Sequence, residues 1–204
     1  MRWWDEQVVP RVTDRLLDVG EIHRLRARVC AGLEGEVLEI GFGSGLNVPH
    51  YPPAVHRVDA VEPSDVAWHL AGDRRSQTAA RVVRTGLDGE LLDAPDESYD
   101  AALCTFTLCT IPDVDAALRE VRRVLRPGGT FHFLEHGLSP DPEVARWQHR
   151  LQPVQGRVGG GCHLDRPIAE IVARSGLRVD ELETFYGARP RAFGHFFLGT
   201  AVKA

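Results

Sequence analysis

Short apolar segments alternate with amphipathic segments between residues 36 and 175, and this alternation constrains the fold more than any other feature of the chain. The apolar segments are typical of buried strands, and the amphipathic segments of about 10–13 residues have helical spacing. Strands that alternate with helices form a mainly parallel sheet covered by helices on both faces. The predicted strands are residues 36–40, 56–61, 81–85, 99–105, 130–134, 177–184 and 195–203.

The last two predicted strands follow one another without an intervening helix. We therefore expect them to pair as an antiparallel hairpin at one edge of the sheet. The predicted fold class is α/β: a doubly wound, Rossmann-like, mainly parallel sheet of seven strands, with the last pair antiparallel. Helices are predicted over residues 3–19, 21–33, 64–75, 113–125, 142–151 and 167–175, and a glycine-rich stretch over 156–161 is expected to break the chain.

The composition argues against several classes of partner. The 204 residues carry a net charge of −5, which gives no electrostatic reason to expect binding to nucleic acid or to an anionic membrane. No segment has the roughly 20 apolar residues of a transmembrane helix, and the N-terminus has no signal-peptide pattern, so we expect a cytoplasmic location. The only lysine is Lys203, which indicates GC-rich codon usage and a bacterial source.

The cysteine pattern predicts reduced thiols. Cys30, Cys104, Cys109 and Cys162 are too few and too scattered for a disulfide framework. They form no CxxC pair, so we expect no structural zinc site and no metal ligand.

Three glycines follow the first predicted strand. Gly41, Gly43 and Gly45 lie beyond its carboxyl end, where an open α/β sheet binds its ligand. Glycine there lets the backbone turn sharply and approach a ligand that a Cβ would block. Glu62 ends the next predicted strand, 21 residues after Gly41, where a carboxylate can accept both hydroxyls of an adenosine ribose. The loop and the carboxylate together predict a site for a ribosyl ligand.

The loop departs from the dinucleotide fingerprint. The third glycine of GxGxxG would fall at Leu46, and Pro49, Pro52 and Pro53 disfavour a helix N-terminus that faces a pyrophosphate. No Gly-Lys-Ser/Thr follows, which excludes Walker-type phosphate binding. An adenosyl ligand without phosphates, S-adenosylmethionine, fits best, and a nicotinamide-dependent reductase is the disfavoured alternative.

Four segments together resemble the class I S-adenosylmethionine-dependent methyltransferases. They are Val37-Leu38-Glu39-Ile40-Gly41-Phe42-Gly43-Ser44-Gly45, Val58-Asp59-Ala60-Val61-Glu62-Pro63-Ser64, Asp88-Gly89-Glu90-Leu91-Leu92 with Asp96-Glu97-Ser98-Tyr99-Asp100, and Glu120-Val121-Arg122-Arg123-Val124-Leu125-Arg126-Pro127-Gly128-Gly129. Further segments resemble the methyltransferase-11 branch, which includes the alkyl-thiol S-methyltransferases: Gly45-Leu46-Asn47, Cys104-Thr105-Phe106-Thr107-Leu108-Cys109, Phe133-Leu134-Glu135-His136 and Gly161-Cys162-His163-Leu164. The resemblance implies one methyltransferase domain over residues 1–204, with an N-terminal helical cap (1–34), a cofactor-binding core (35–136) and an acceptor-side cover with the C-terminal strand pair (137–204).

The resemblance also implies which residues bind S-adenosylmethionine and its product S-adenosylhomocysteine. Glu39 would face the methionine ammonium, and the backbone of residues 41–45 would pass beside the methionine and the ribose. Glu62 would accept the ribose hydroxyls, Pro63 would pack on the adenine, and Asp88 with the next backbone N–H would recognise the adenine edge. The implied cofactor-binding residues are Glu39, Gly41, Phe42, Gly43, Gly45, Asn47, Glu62, Pro63, Asp88, Gly89, Cys104 and Thr105, the last two near the sulfonium.

The expected reaction is direct in-line displacement of the methyl group onto a small-molecule acceptor. Such a reaction needs alignment of the acceptor and exclusion of water, and it requires no metal. A base is needed only if the acceptor arrives protonated, and His136 and His163 are the candidates.

The acceptor atom stays open among sulfur, nitrogen, oxygen and carbon. The thiol enzymes carry an N-terminal membrane anchor that is not expected here, and related bacterial enzymes include phospholipid N-methyltransferases. A phospholipid or amine N-methyltransferase and a non-catalytic S-adenosylmethionine-binding protein are therefore the alternatives.

Overall fold

The computed structural model describes residues 3–204, in which seven strands form one sheet. The first two residues of the predicted cap over 1–34 lie outside the described range. The strands are Gly35–Ile40 (β1), Val55–Val61 (β2), Arg81–Gly86 (β3), Tyr99–Thr105 (β4), Leu125–His136 (β5), Arg178–Tyr186 (β6) and His195–Val202 (β7).

The strand order is β3-β2-β1-β4-β5-β7-β6. Strands β1 to β5 pair in parallel, and β7 pairs antiparallel with both β5 and β6. The predicted α/β fold and the antiparallel strand pair at the sheet edge are therefore confirmed.

Helices cover both faces of this sheet. They are Val9–Leu17 (α1), Gly20–Cys30 (α2), Asp65–Leu70 (α3), Gly72–Arg75 (α4), Val114–Val124 (α5), Pro142–Val158 (α6) and Ile168–Arg174 (α7). A π-helical segment, Trp4–Val8, precedes α1, and a 3₁₀ turn, Val48–His50, follows the glycine loop. Among the residues that the structure describes, none of these helices combines the length and apolar character that a membrane span needs.

The alternation of side chains along β4 divides the core into two layers. Ala102 and Cys104 point to the face that α5 and α7 cover, whereas Ala101 and Leu103 point to the face that α2 covers. Because both faces of the central strand are buried, its sequence reads as a continuous apolar run.

The α5 helix shows how local sequence determines an element. The Asp113 side chain accepts a hydrogen bond from the Ala116 N–H (2.9 Å) and caps its first turn. Its buried side chains recur every three or four residues and face the sheet: Val114, Ala117, Leu118, Val121 and Val124.

Several element boundaries differ from the sequence prediction, most clearly at β5 and α6. Strand β5 begins at Leu125, which pairs with Tyr99 ahead of the predicted start at residue 130. Helix α6 continues to Val158 with Pro153 inside it, so the prediction that residues 156–161 break the chain is wrong for the first three of them. Tertiary contacts override the local signals, since the Trp4 indole N–H donates to the Val158 carbonyl (2.9 Å) at the end of α6.

Candidate functional site at the carboxyl edge of the sheet

The carboxyl ends of β1 and β4 lie side by side at the centre of the sheet. Ile40, the last residue of β1, pairs with Cys104 of β4 on one side and with Val61 of β2 on the other. The chain runs outward from β1 through β2 and β3, and in the other direction through β4 and β5. This change of direction is the switch point at which open α/β sheets bind ligands.

The glycine loop begins at this switch point. Gly41, Gly43 and Gly45 have φ values of +72°, +58° and +76°, which explains why glycine occupies all three positions. A Cβ on Gly41 would overlap the Thr107 side chain, whereas the nearest atom to a Cβ on Gly43 would be the Gly41 carbonyl oxygen at 3.9 Å. Gly43 therefore presents backbone to open space. The Phe42 side chain is buried and leaves only its backbone for a ligand.

Glu62, immediately after β2, lies against this loop. One carboxylate oxygen accepts the Gly43 N–H (2.7 Å) and the other accepts the Ser64 N–H (2.7 Å). Only 6% of the residue is exposed. Burial raises the pKa of the carboxyl, and the two backbone donors offset part of that rise. The predicted partnership between the glycine loop and Glu62 is thus a direct contact in this structure.

Glu39 is fully buried on β1, one residue before its end. One carboxylate oxygen accepts a hydrogen bond from the Asn47 side-chain amide (2.9 Å), and the other accepts one from the Tyr51 hydroxyl. Burial raises the pKa of Glu39 to about 7, and the Tyr51 and Asn47 hydrogen bonds limit the rise. Glu39 and Asn47, both predicted from the sequence, therefore form one polar cluster.

Arg26, which the sequence analysis missed, completes that cluster. Its guanidinium donates to the Asn47 side-chain oxygen (2.7 Å) and to the Thr105 hydroxyl (2.9 Å). Burial lowers the pKa of Arg26 to about 10, which leaves it protonated at neutral pH. A signal was present, because Arg26 shares the buried face of α2 with Ile22 and Val29, where an arginine needs a polar partner.

The predicted adenine-side residues lie at the surface. Pro63 and Asp88 are exposed, and the Asp88 carboxylate accepts the Glu90 N–H (2.8 Å). A Cβ on Gly89 would lie 2.9 Å from the Ile40 side chain, so the Gly89 backbone packs against the end of β1. The segment that contains Asp88 and Gly89 therefore lies beside the switch point, and Gly89 contacts the end of β1.

Two cavities in the structure lie away from the glycine loop. One, of about 310 Å³, is lined by Asp96, Glu97, Arg119, Arg122, Arg123, Ser175 and Lys203. The other, of about 360 Å³, is lined by Arg28, Val29, Glu181, Leu182, Glu183, Leu198, Gly199 and Thr200. The glycine loop and its buried carboxylates define the candidate site.

A second buried carboxylate, Glu135, holds the loop that follows β4. One of its oxygens accepts the N–H groups of Thr107 (2.8 Å) and Leu108 (3.0 Å) and the thiol of Cys104 (3.4 Å). Its other oxygen is buried and has no hydrogen-bond partner within residues 3–204. Burial raises the pKa of Glu135. The predicted Cys104 is a fully buried donor to this carboxylate, whereas Thr105 joins the Arg26 cluster.

The two histidines predicted as candidate bases have different partners. His136 places its Nε2 atom 3.1 Å from the Cys162 Sγ atom, whereas His163 contacts Gln152 (3.2 Å). Hydrogen bonds from Cys109 and His136 lower the pKa of the Cys162 thiol. Burial acts to lower the pKa of His136, but the hydrogen bond to Cys162 and the charges of Cys162 and Glu135 together outweigh burial, so the pKa is raised. The structure therefore groups Cys109, His136 and Cys162, which the sequence does not place together.

Comparison with known proteins decides the family. A family model described as a methyltransferase domain matches residues 38–133. Thiol S-methyltransferase TMT1B from Rattus norvegicus is 33% identical over 181 residues, which cover 83% of this chain and 71% of the rat protein. This chain belongs to the methyltransferase family that contains the thiol S-methyltransferases. It is an S-adenosylmethionine-dependent methyltransferase, as the resemblance of its motifs implies.

This methyltransferase is also similar to proteins that are named for other functions. A phosphatidylethanolamine N-methyltransferase from Cereibacter sphaeroides is 28% identical over 152 residues, which cover 72% of each chain. The crystal structure of an S-adenosylmethionine-dependent methyltransferase from Mesorhizobium loti has a TM-score of 0.65 and 21% identity, and the match covers 92% of this chain and 99% of that one. The structural likeness confirms the fold of the methyltransferase.

Proposed function

We propose that this methyltransferase binds S-adenosylmethionine at the glycine loop and transfers its methyl group to the sulfur of a small-molecule thiol. The observation that carries the cofactor site is the contact between Glu62 and the Gly43 N–H, which holds a carboxylate over a loop with open space beside it. When bound, S-adenosylmethionine supplies a methyl group on an electrophilic sulfonium.

The acceptor capacity of Glu62 fits a ribose diol. Each carboxylate oxygen can accept at least two hydrogen bonds, and each oxygen of Glu62 accepts one from a backbone N–H. One place therefore stays available on each oxygen for a hydroxyl group. The backbone of Gly43 adds a surface without side chains, which lets the ligand approach closely.

The cluster around Glu39 fits the methionine end of the same ligand. A carboxyl with a pKa of about 7 ionises when a cation binds next to it, because the charge favours the anionic form. We assign the ammonium group to Glu39 with Asn47. We assign the adenine to Pro63, Asp88 and the Gly89 backbone.

Methyl transfer from a sulfonium requires mainly that the side chains hold the reactants in position. The residues that close the site align the acceptor with the methyl group and exclude water, which accounts for about 7–11 kcal/mol of the barrier in well-oriented reactions. A thiol as acidic as that of cysteine has a pKa of about 8.5, so a few per cent of it is already thiolate at neutral pH. A thiol acceptor therefore needs no assigned base, and neither His136 nor His163 receives that role.

The relatives support sulfur over nitrogen as the acceptor. The identity to the thiol S-methyltransferase is 33% over 83% of the chain, compared with 28% over 72% for the phospholipid enzyme. N-methylation of a phospholipid amine is the second candidate, and it rests on that second relative. The cytoplasmic location and the bacterial source stay predictions from the sequence.

Methyl transfer from radiolabelled S-adenosylmethionine tests both parts of the proposal. Label should appear on a small alkyl thiol and not on phosphatidylethanolamine vesicles. Label on the vesicles alone would support the second candidate, and tight cofactor binding with no labelled acceptor would support a non-catalytic binding protein.

The Glu62→Ala variant tests the cofactor site separately by isothermal titration with S-adenosylmethionine. Loss of hydrogen bonds to a charged group should weaken binding roughly 10- to 100-fold, because such bonds contribute about 1.5–3 kcal/mol. Asp73→Ala, at an exposed carboxylate on α4, is the control and should bind like the parent. Unchanged affinity in Glu62→Ala would refute the ribose assignment.

A further inference from the structure

Two thiols and an imidazole converge at the carboxyl edge of the sheet, outside the proposed cofactor site. Cys109 lies in the loop after β4, His136 ends β5, and Cys162 follows α6. One ligand atom from each residue lies within 4.8 Å of the other two. The His136 Nε2 and Cys162 Sγ atoms are 3.1 Å apart, and both cysteines are buried.

The segments that carry the two cysteines are fastened to each other. The backbone N–H of His163 donates to the Cys109 carbonyl (2.8 Å), which joins the two cysteine loops directly. Arg166 donates to the Ile111 carbonyl (2.6 Å) and so holds the loop that contains Cys109.

Helix α6 holds the other cysteine loop. The Gln152 side chain accepts the Leu164 N–H (2.7 Å) and donates to the Cys162 carbonyl (3.2 Å). The two segments that carry the cysteines are therefore held by hydrogen bonds that do not depend on a bound ion.

We propose that Cys109, His136 and Cys162 form a binding site for one zinc ion. Two thiolates and an imidazole are the ligand set that zinc prefers among common biological cations. Bonds of about 2.3 Å to sulfur and about 2.0–2.1 Å to nitrogen place tetrahedral ligand atoms roughly 3.5 Å apart. One observed separation is 3.1 Å and none exceeds 4.8 Å, so a small movement of side chains accommodates the ion.

Three protein ligands leave one position of a tetrahedral zinc ion for water or another small ligand. This is the pattern of zinc sites with an exchangeable position, whereas closed structural sites use four protein ligands. The proposal opposes the sequence-based expectation of no metal ligand. That expectation rested on the lack of a CxxC pair, and the three ligands here come from separate segments of the chain.

A Cys109–Cys162 disulfide is the competing use of the same sulfurs. In the described structure all four cysteines are free. A disulfide would leave His136 without a role, although its Nε2 atom faces the Cys162 sulfur. The third ligand group favours the metal.

Metal titration of the full chain tests the site without any measurement of methyl transfer, so the test is independent of the proposed acceptor. Protein prepared with a reductant and freed of metal by chelation should bind zinc at one ion per chain, in competition with a chromogenic chelator. Cobalt(II) should bind at the same ratio and give thiolate-to-cobalt charge-transfer absorption. It should also give the visible bands of tetrahedral coordination.

Substitution of the ligands then locates the ion. Cys109→Ser, Cys162→Ser and His136→Ala should each weaken zinc binding at least tenfold, and both cysteine variants should lose charge-transfer intensity. Cys30→Ala removes a buried cysteine outside the cluster and should bind zinc like the parent. The parent chain itself should gain thermal stability on zinc addition, which keeps the test decisive if a ligand variant fails to fold.

Several outcomes would overturn the proposal. They are an absence of stoichiometric zinc or cobalt binding by the parent chain, a cobalt spectrum without thiolate absorption, and a zinc affinity in both cysteine variants equal to that of the parent. A Cys109–Cys162 disulfide in protein kept under reductant would also overturn it and would assign the pair to redox chemistry.

Discussion

Glu62 and Glu135 are buried carboxylates at the same edge of the sheet, after β2 and near the end of β5, and they use their oxygens differently. Each oxygen of Glu62 accepts one backbone hydrogen bond, one from the Gly43 N–H and the other from the Ser64 N–H. Both oxygens can therefore accept one more hydrogen bond. This arrangement suits a residue that receives a ligand with two hydroxyl groups.

One oxygen of Glu135 accepts three hydrogen bonds, from the N–H groups of Thr107 and Leu108 and from the thiol of Cys104. Its second oxygen has no partner in the described part of the chain, and the residue is fully buried. This arrangement suits a residue that fastens a loop. Both carboxylates lie at the carboxyl ends of strands, and the distribution of their hydrogen-bond donors distinguishes their roles.

The largest expected effect concerns the fastening role of Glu135. Glu135→Ala should lower the free energy of unfolding by about 4 kcal/mol, because it leaves several buried donors unpaired at about 1–3 kcal/mol each. Glu62→Ala should lower it by about 2 kcal/mol, because its two donors lie closer to solvent. Urea unfolding of both variants checks the order, with Glu135→Gln as the milder substitution if the alanine variant does not fold. A larger loss in Glu62→Ala would reverse the assignment of roles.

A third buried carboxylate, Glu39, provides a pH-dependent test. Its pKa rises from 4.5 to about 7 in the folded protein, so the folded state holds this proton more tightly than the unfolded state. The resulting stabilisation is fully present below pH 4.5 and is lost as the pH rises through 7. The parent should therefore lose about 3 kcal/mol relative to Glu39→Gln between pH 4 and pH 8.

Urea unfolding of the parent and of Glu39→Gln at several pH values measures this difference. Asp73→Asn, at an exposed position, should follow the parent at every pH. A constant difference between the parent and Glu39→Gln would mean that the pKa of Glu39 is the same in the folded and unfolded states.

The features that were predicted correctly from the sequence are those set by residues close together in the chain. Gly41 and Glu62 belong to short motifs at the ends of adjacent strands, and the parallel sheet brings those ends together. The strand bounds of β4 agree with the prediction because a continuous apolar run has clear ends. The domain bounds and the binding roles of individual residues stay predictions.

The features that sequence analysis missed depend on contacts between distant segments. Arg26 reaches Thr105 across 79 positions of the chain, and Cys162 reaches His136 across 26. The length of α6 was missed because Pro153 signals a helix end, whereas contacts with the N-terminal segment hold the last turn. Local spacing carries no information about such pairings.

The smallest expected difference in stability is between alanine variants of two glycines, one near Glu135 and one bound to Glu62. Gly41 packs on Thr107, whose N–H is held by Glu135, whereas the Gly43 N–H is held by Glu62. Gly41→Ala should destabilise the fold by about 2 kcal/mol more than Gly43→Ala, since both pay left-handed strain and only the first overlaps a neighbour. Cofactor affinity should show the opposite order. Gly43→Ala should weaken binding more than Gly41→Ala, because a Cβ on Gly43 enters the open side of the loop. Thermal unfolding and titration with S-adenosylmethionine measure both orders, and a Gly43→Ala variant with the parent's cofactor affinity would place the ligand elsewhere.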